Sequence, residues 1–268
     1  MNIERINPIT DIESDNFMAH IARYRFALPY VKGKRVLDVG CGTGYGTYYL
    51  RNLGAKTVVG IDLNKNDAIG FANRHYILGG LNYIQGDLTK MPRREFDVVV
   101  AFEFIEHVSN PIDCLKHIWD CLSADGLLLI STPHIANPYV KDLDKKNPYH
   151  ISTKTKEELE NLLRQAGFTD IRTIYQERAL SDRKQNLLYE KLEKLYEGVL
   201  TVLANLIFQR LRKLWGRPAV LSTSSSPTEH LASIYHWKFS LFPKTTSEVI
   251  LFVCGKDKIE SLYRDGIE

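Results

Sequence analysis

The chain has 268 residues, 44% of them apolar and 25% charged, with a formal net charge of +3. That length suits one α/β core carrying an insertion, and so small a charge, with no long run of arginine or lysine, argues against a nucleic-acid partner. No stretch approaches the ~20 apolar residues of a membrane span, and Met1 to Asp15 lacks the apolar core of a signal peptide, so a cytoplasmic protein is expected.

Residues 22–35 run straight into the first predicted strand, 35–39, which opens onto a glycine-rich turn and then a helix pattern. Further strands are predicted at 57–62, 82–85, 96–101 and 126–132, with helices after the glycine turn, after Asp62 and across 111–122. Thr155 and Glu158 have the spacing of a capping box. Leu159, Leu162 and Leu163 then supply an apolar helical face, and Gly167 ends it. Residues 169–175 read as the sixth strand, and 248–254, rich in β-branched and aromatic residues, as the last. This rhythm predicts a doubly wound, mostly parallel α/β sheet covered on both faces, with ligands at the C-terminal ends of its strands.

The turn reads Val36-Leu37-Asp38-Val39-Gly40-Cys41-Gly42-Thr43-Gly44-Tyr45-Gly46, and Asp62 ends the following strand. Glycines allow close approach of the main chain to a ligand, and a carboxylate at the end of the second strand can accept both ribose hydroxyl protons. The frame therefore suits a nucleoside-bearing cofactor. Neither glycine register completes G-x-G-x-x-G, since Tyr45 or Thr47 falls where the third glycine belongs, which disfavours a dinucleotide. Asp38 would repel a pyrophosphate but can accept from an ammonium group, so an amino-acid-bearing nucleoside is expected.

These residues resemble the first motif of the class I S-adenosylmethionine-dependent methyltransferases, and ordered matches continue over roughly residues 20–176. The resemblance implies a Rossmann-like, seven-stranded sheet whose sixth and last strands form an antiparallel pair at one edge. It implies a cofactor pocket of Asp38, Gly40, Cys41, Gly42, Thr43, Gly44, Asp62, Leu63, Asp87, Leu88 and Phe102, with Asp62 on the ribose and Asp87 near the adenine amino group.

After the fourth strand the chain reads Glu103-Phe104-Ile105-Glu106-His107. If it turns helical there, Glu103, Glu106 and His107 share one side, giving two oxygen ligands and one nitrogen ligand. The pattern resembles metal-assisted O-methyltransferases, in some of which a later histidine completes the shell. His150, in Asn147-Pro148-Tyr149-His150, holds the comparable place. Two readings follow: Glu103, Glu106, His107 and His150 hold magnesium or manganese, or His107, with Glu106 beside it, acts as base without metal. The other six histidines receive no role.

Residues 177–245 are too many for a loop and are expected to form an inserted, mainly helical cap on a core of 1–176 with 246–268. Leu188, Leu192, Leu195, Val199, Val202 and Leu206 lie on one stripe of a long helix, and Arg210, Arg212, Lys213 and Arg217 surround Trp215 beyond it. That helix can cover its own core, a partner in a homodimer, or a membrane surface. Cys41, Cys114, Cys121 and Cys254 lie apart, without metal or disulfide spacing. The entry segment and the Asn147–His150 turn look like those of methyltransferases associated with surface polysaccharide and sugars, so a sugar or other small hydroxylated acceptor is expected. Tyr235, His236, Trp237 and Phe239 offer rings for it or for the core. An RNA ribose 2′-O-methyltransferase, a non-catalytic cofactor-binding regulator and a nicotinamide-dependent oxidoreductase stay open as alternatives.

Overall fold

The computed structural model describes residues 14–63, 67–178, 237–240 and 247–257. All of them belong to one compact unit. Its centre is a mixed sheet of β1 (Arg35–Val39), β2 (Thr57–Asp62), β3 (Leu81–Gln85), β4 (Phe96–Phe102), β5 (Leu122–Pro133), β6 (Asp170–Arg178), β7 (Trp237–Ser240) and β8 (Ser247–Gly255). The order is β3-β2-β1-β4-β5-β8-β6-β7. Strands β1 to β5 pair in parallel, while β8 runs antiparallel to both β5 and β6.

Helices cover both faces, which is why β1 and β4 read as nearly continuous apolar runs. Along β1, Val36 joins one packing layer while Leu37 and Val39 join the other. Along β4, Val98, Val100 and Phe102 face the first, and Val99 and Ala101 the second. The first layer is filled by Tyr24, Ala27, Tyr30 and Val31 of α1 (Asp15–Val31) and Leu50 of α2 (Tyr45–Asn52). On the second face lie Leu115 and Ile118 of α4 (Pro111–Cys121), and Leu159 and Leu163 of α6 (Lys156–Ala166). Two further helices, α3 (Ala68–His75) and α5 (Pro138–Lys146), lie beside β3 and β5.

The family's seven-stranded pattern is present, with β6 and β8 antiparallel as expected. The expected edge differs. Residues 237–240, assigned by sequence to the cap, form an eighth strand whose ladder runs from Tyr175↔Ser240 to Arg178↔Trp237. Four residues are too few to show a strand period. Helix α1 also carried no sequence assignment, since Pro29 and close-set aromatics blur its pattern. Ser14 caps it by accepting from the Phe17 amide at 3.1 Å. The long cap helix, its basic tip and most of the cap aromatics lie outside the described residues, and with them the membrane-surface and homodimer expectations. Among the described residues no helix is long and apolar enough to cross a membrane.

Thr155 and Glu158 form the predicted capping box. The Glu158 amide donates to Thr155 Oγ1 at 3.2 Å, and the Thr155 amide donates to Glu158 Oε2 at 2.8 Å. Because α6 presses Leu159 and Leu163 into the second layer, Thr155→Ala should cost about 1 kcal/mol of stability. A denaturant midpoint lowered with unchanged cofactor binding would show it.

Candidate functional site

Parallel pairing puts the C-terminal ends of β1, β2, β4 and β5 on one side of the sheet, where the chain turns away and leaves backbone groups unpaired. After β1 the chain folds back onto β2: the Gly40 and Cys41 amides donate to the Ile61 carbonyl at 2.8 and 3.2 Å. The Gly42 amide donates to Asp62 Oδ2 at 3.0 Å, so the turn itself positions the ribose-binding candidate. Gly42 has φ 54° and nothing within 4 Å of the place a Cβ would occupy, leaving room for a ligand against its backbone. Gly44, at φ 83°, is close-packed instead: a Cβ there would meet Ala72 at 2.6 Å and the Tyr83 ring at 2.7 Å.

Around this turn the other candidates divide. Asp62 is half-buried, and Leu63 beside it is 61% exposed, an apolar side chain placed where a flat ring can lie. Asp87 accepts on Oδ1 from the Thr89 hydroxyl at 2.8 Å and the Thr89 amide at 2.9 Å, bonds that hold its carboxyl below the usual range. Cys41, Leu88 and Phe102 are buried. Leu88 and Phe102 belong to the two packing layers and support the site from beneath. Thr43 is half-buried within the turn.

Asp38 shares the strand face of Val36, so its carboxylate enters the layer under α1 and α2 and is fully buried. Thr47 donates to Oδ2 at 2.6 Å, and the Tyr24 hydroxyl to Oδ1 at 3.2 Å, so both oxygens are tied to the scaffold. Burial pushes the Asp38 carboxyl up to about 7, against the hydrogen bonds from Thr47 and Tyr24 and with a further push from Asp62. Gly46 makes the arrangement possible, since a Cβ there would lie 2.0 Å from the Tyr24 ring.

At the end of β4 the expected helical grouping is broken. Glu103 takes the left-handed region at φ 48°, and the helical part is a short 3₁₀ turn, Ile105–His107. The Glu103 amide donates to Ser131 Oγ at 3.1 Å and that hydroxyl donates to Glu103 Oε1 at 2.7 Å, a closed pair with β5. Glu106, His107 and His150 do come together, with one ligand atom from each within 4.8 Å of the others. Glu103 stands outside this trio.

The segment after α5 is laced onto the 3₁₀ turn. The Glu106 carbonyl accepts from the Ile151 and Ser152 amides, both at 3.0 Å, and His107 Nδ1 lies 3.0 Å from the Tyr149 carbonyl. Since a carbonyl only accepts, Nδ1 carries the proton and the Nε2 of His107 carries the lone pair. Glu106 is fully buried. Thr132 donates to Oε2 at 3.4 Å, and Oε1 has no partner. Burial, and then the charge of Glu103, push its carboxyl well above the usual range, while Arg23 pulls the other way.

Arg23 was missed by the sequence reading. It is 1% exposed; Nη1 donates to Gln176 Oε1 at 2.7 Å, Gln176 in turn donates to the Ala19 carbonyl at 3.0 Å, and Nε has no partner. Among the described residues no carboxylate pairs with this guanidinium, and burying it so is costly unless an anion joins it. Beside it, His20 Nδ1 and the Tyr45 hydroxyl lie 3.1 Å apart, and burial, then Arg23, hold the His20 imidazole well below its ordinary value. The available signal was a lone charge among Met18, Ala19, Ile21, Ala22 and Tyr24, but it shows only once these residues are known to form one buried helix.

Residues 15–173 match the family described as "Methyltransferase domain". The chain belongs to that family. Among its relatives, a probable S-adenosylmethionine-dependent methyltransferase of Mycobacterium tuberculosis is 31% identical over 170 residues, covering 63% of this chain and 61% of that protein. A tRNA U34 carboxymethyltransferase of Pseudomonas syringae pv. syringae is 29% identical over 176 residues, covering 62% and 54%. The chain thus spans less than two thirds of the length of these curated relatives. A crystal structure of a SAM-dependent methyltransferase from Archaeoglobus fulgidus superposes with a TM-score of 0.59 at 19% identity, covering 90% of this chain and 94% of that one.

Within this methyltransferase domain Asp38 has a measurable signature. A folded-state value raised to about 7 means that the folded protein holds the Asp38 proton more tightly than the unfolded chain does. Stability is then lost as pH rises from about 4 to about 7, by an amount on the order of 1–4 kcal/mol. Asp38→Asn should flatten that slope, so its thermal midpoint gains on the wild type between about pH 4 and about pH 7. Parallel melting curves for the two proteins across that range would remove the assignment.

Proposed function

We propose that this chain transfers the methyl group of S-adenosylmethionine to a hydroxyl of a sugar or another small hydroxylated metabolite. The observation that carries the reading is the pairing of a glycine turn bonded to Asp62 with a partly buried cluster of Glu106, His107 and His150 at the same end of the sheet. For the cofactor, Asp62 accepts from the ribose hydroxyls, Leu63 covers one face of the adenine and Asp87 meets its amino group. Arg23 supplies the cation for the methionine carboxylate, which gives a partner to a buried guanidinium whose Nε has none among the described residues.

The bound sulfonium brings a methyl carbon that is already electrophilic. The protein has to hold the acceptor oxygen in line with it, exclude water and take the hydroxyl proton. His107 fits the last task, because its bond to the Tyr149 carbonyl leaves Nε2 as the basic nitrogen. As the oxygen–carbon bond forms, the carbon–sulfur pair returns to sulfur and the hydroxyl proton passes to that nitrogen.

The same three residues also suit a divalent cation. Glu106 Oε1 is buried and unpartnered, and two imidazoles stand beside it. Two nitrogens and one oxygen favour manganese, iron, cobalt or zinc over magnesium. Such an ion, when bound, would acidify a chelated hydroxyl. Glu103, bonded to Ser131, is not needed as a ligand. A second reading takes an RNA acceptor: the small net charge argues against it, while the relative named for tRNA modification argues for it. A steep fall of acceptor binding with salt would favour RNA.

Asp62→Ala should weaken S-adenosylhomocysteine binding by about 1–3 kcal/mol, by leaving ribose hydroxyls unpaired. Calorimetry giving wild-type affinity would undo the pocket assignment. Chelation should lower methyl transfer without lowering S-adenosylhomocysteine affinity, and manganese should restore it. A preparation shown to be metal-free that turns over at full rate would leave His107 as a base acting alone.

A further inference from the structure

Two imidazoles contribute to the cluster, and they are held in different ways. His107 is fixed by a main-chain carbonyl. His150 is fixed by a carboxylate: its Nδ1 lies 2.6 Å from Asp144 Oδ1, and the two side chains are only 13% and 16% exposed. Asp144 is itself steadied. The Thr153 hydroxyl donates to the same Oδ1 at 2.6 Å, and Asp144 sits near the end of α5, whose first turn is capped by Asn137 accepting from the Tyr139 amide. The His107 and His150 rings meet edge to face with centroids 4.9 Å apart, so a rotation of His150 would disturb both.

A neutral imidazole has two tautomers, and only the one protonated at Nδ1 offers a lone pair at Nε2. An ionised carboxylate beside Nδ1 selects that tautomer. We propose that Asp144 is a positioning residue which locks His150 as the Nδ1–H tautomer and so presents Nε2 to the cluster formed with Glu106 and His107. The proposal builds on the cation-binding reading given above. It adds a residue on a different element, six positions before the histidine it serves, and gives a task to a carboxylate only 16% exposed. Hydrogen-bonded partners of this kind typically change metal affinity by roughly 10–100-fold when removed.

The test uses the full chain, labelled with ¹⁵N and stripped of metal. Ring-nitrogen shifts of His150 should report the Nδ1–H tautomer in the wild type, a mixture in Asp144→Ala, and recovery in Asp144→Asn, whose amide oxygen can still accept from Nδ1. Cobalt titration followed by visible absorption should show affinity lower by roughly 10–100-fold in Asp144→Ala and partly regained in Asp144→Asn. S-adenosylhomocysteine affinity checks that each variant is folded; should Asp144→Ala fail that check, Asp144→Leu, which is close to aspartate in shape and cannot accept from Nδ1, takes its place in both measurements. Retention of the wild-type tautomer and cobalt affinity in Asp144→Ala, or in Asp144→Leu used in its stead, overturns the proposal. A wild type that binds no cobalt, yet loses the Nδ1–H tautomer when Asp144 is changed, overturns the cation site alone and leaves Asp144 as the group that orients His150.

Discussion

A single buried carboxylate fastens the first strand to both helices that cover it. Asp38 sits in an apolar layer and takes one hydrogen bond from Thr47 of α2 and another from Tyr24 of α1. Burial, and then the Asp38 charge, raise the Tyr24 phenol, which favours its role as the donor. Because unpaired burial of such a group would cost several kcal/mol, the position of α1 is tightly specified. The ring that reaches Asp38 also excludes any side chain at position 46, and its neighbour in sequence is Arg23. Placing Tyr24 therefore places the guanidinium too.

The remaining chemistry gathers through main-chain bonds. The glycine turn is tied to β2 at Ile61 and Asp62, and the segment after α5 is tied to the end of β4 at Glu106. In both cases a loop reaches a neighbouring strand end through amide donors. Substitutions at His107 or His150 leave the amide bonds to the Glu106 carbonyl in place, while Asp62→Ala also takes the acceptor from the Gly42 amide but leaves the two bonds to the Ile61 carbonyl.

Much of this was legible in the sequence, for physical reasons that can be named. Strands buried on both faces write themselves as apolar runs, the Thr155–Glu158 capping box has fixed spacing, and a glycine turn between strand and helix admits few geometries. His150 was also found, although only the structure shows the lacing that brings it to His107. What misled was local geometry. An i, i+3, i+4 grouping presumed a regular helix, but Glu103 turned left-handed and joined Ser131. The bonds from Tyr24 and Thr47 to Asp38 could not be read from sequence, because they depend on how α1 and α2 pack over β1. Arg23 and Asp144 escaped because their meaning lies in what surrounds them: a buried helix face for one, and a histidine brought near by a turn for the other.

The outer edge of the sheet has a further implication. Strands β6 and β7 are paired up to Arg178 and Trp237, so the chain leaves the core and re-enters it across one rung of an antiparallel ladder. Whatever lies between those two residues is, to the sheet, an oversized hairpin connection, and a rung of that kind closes equally well over a short turn or a long excursion, since closure entropy rises only slowly with length. This edge is accordingly a splice point: a connection there could be lengthened, shortened or exchanged between related chains while the ladder that closes over it, and the strands beyond, keep their register.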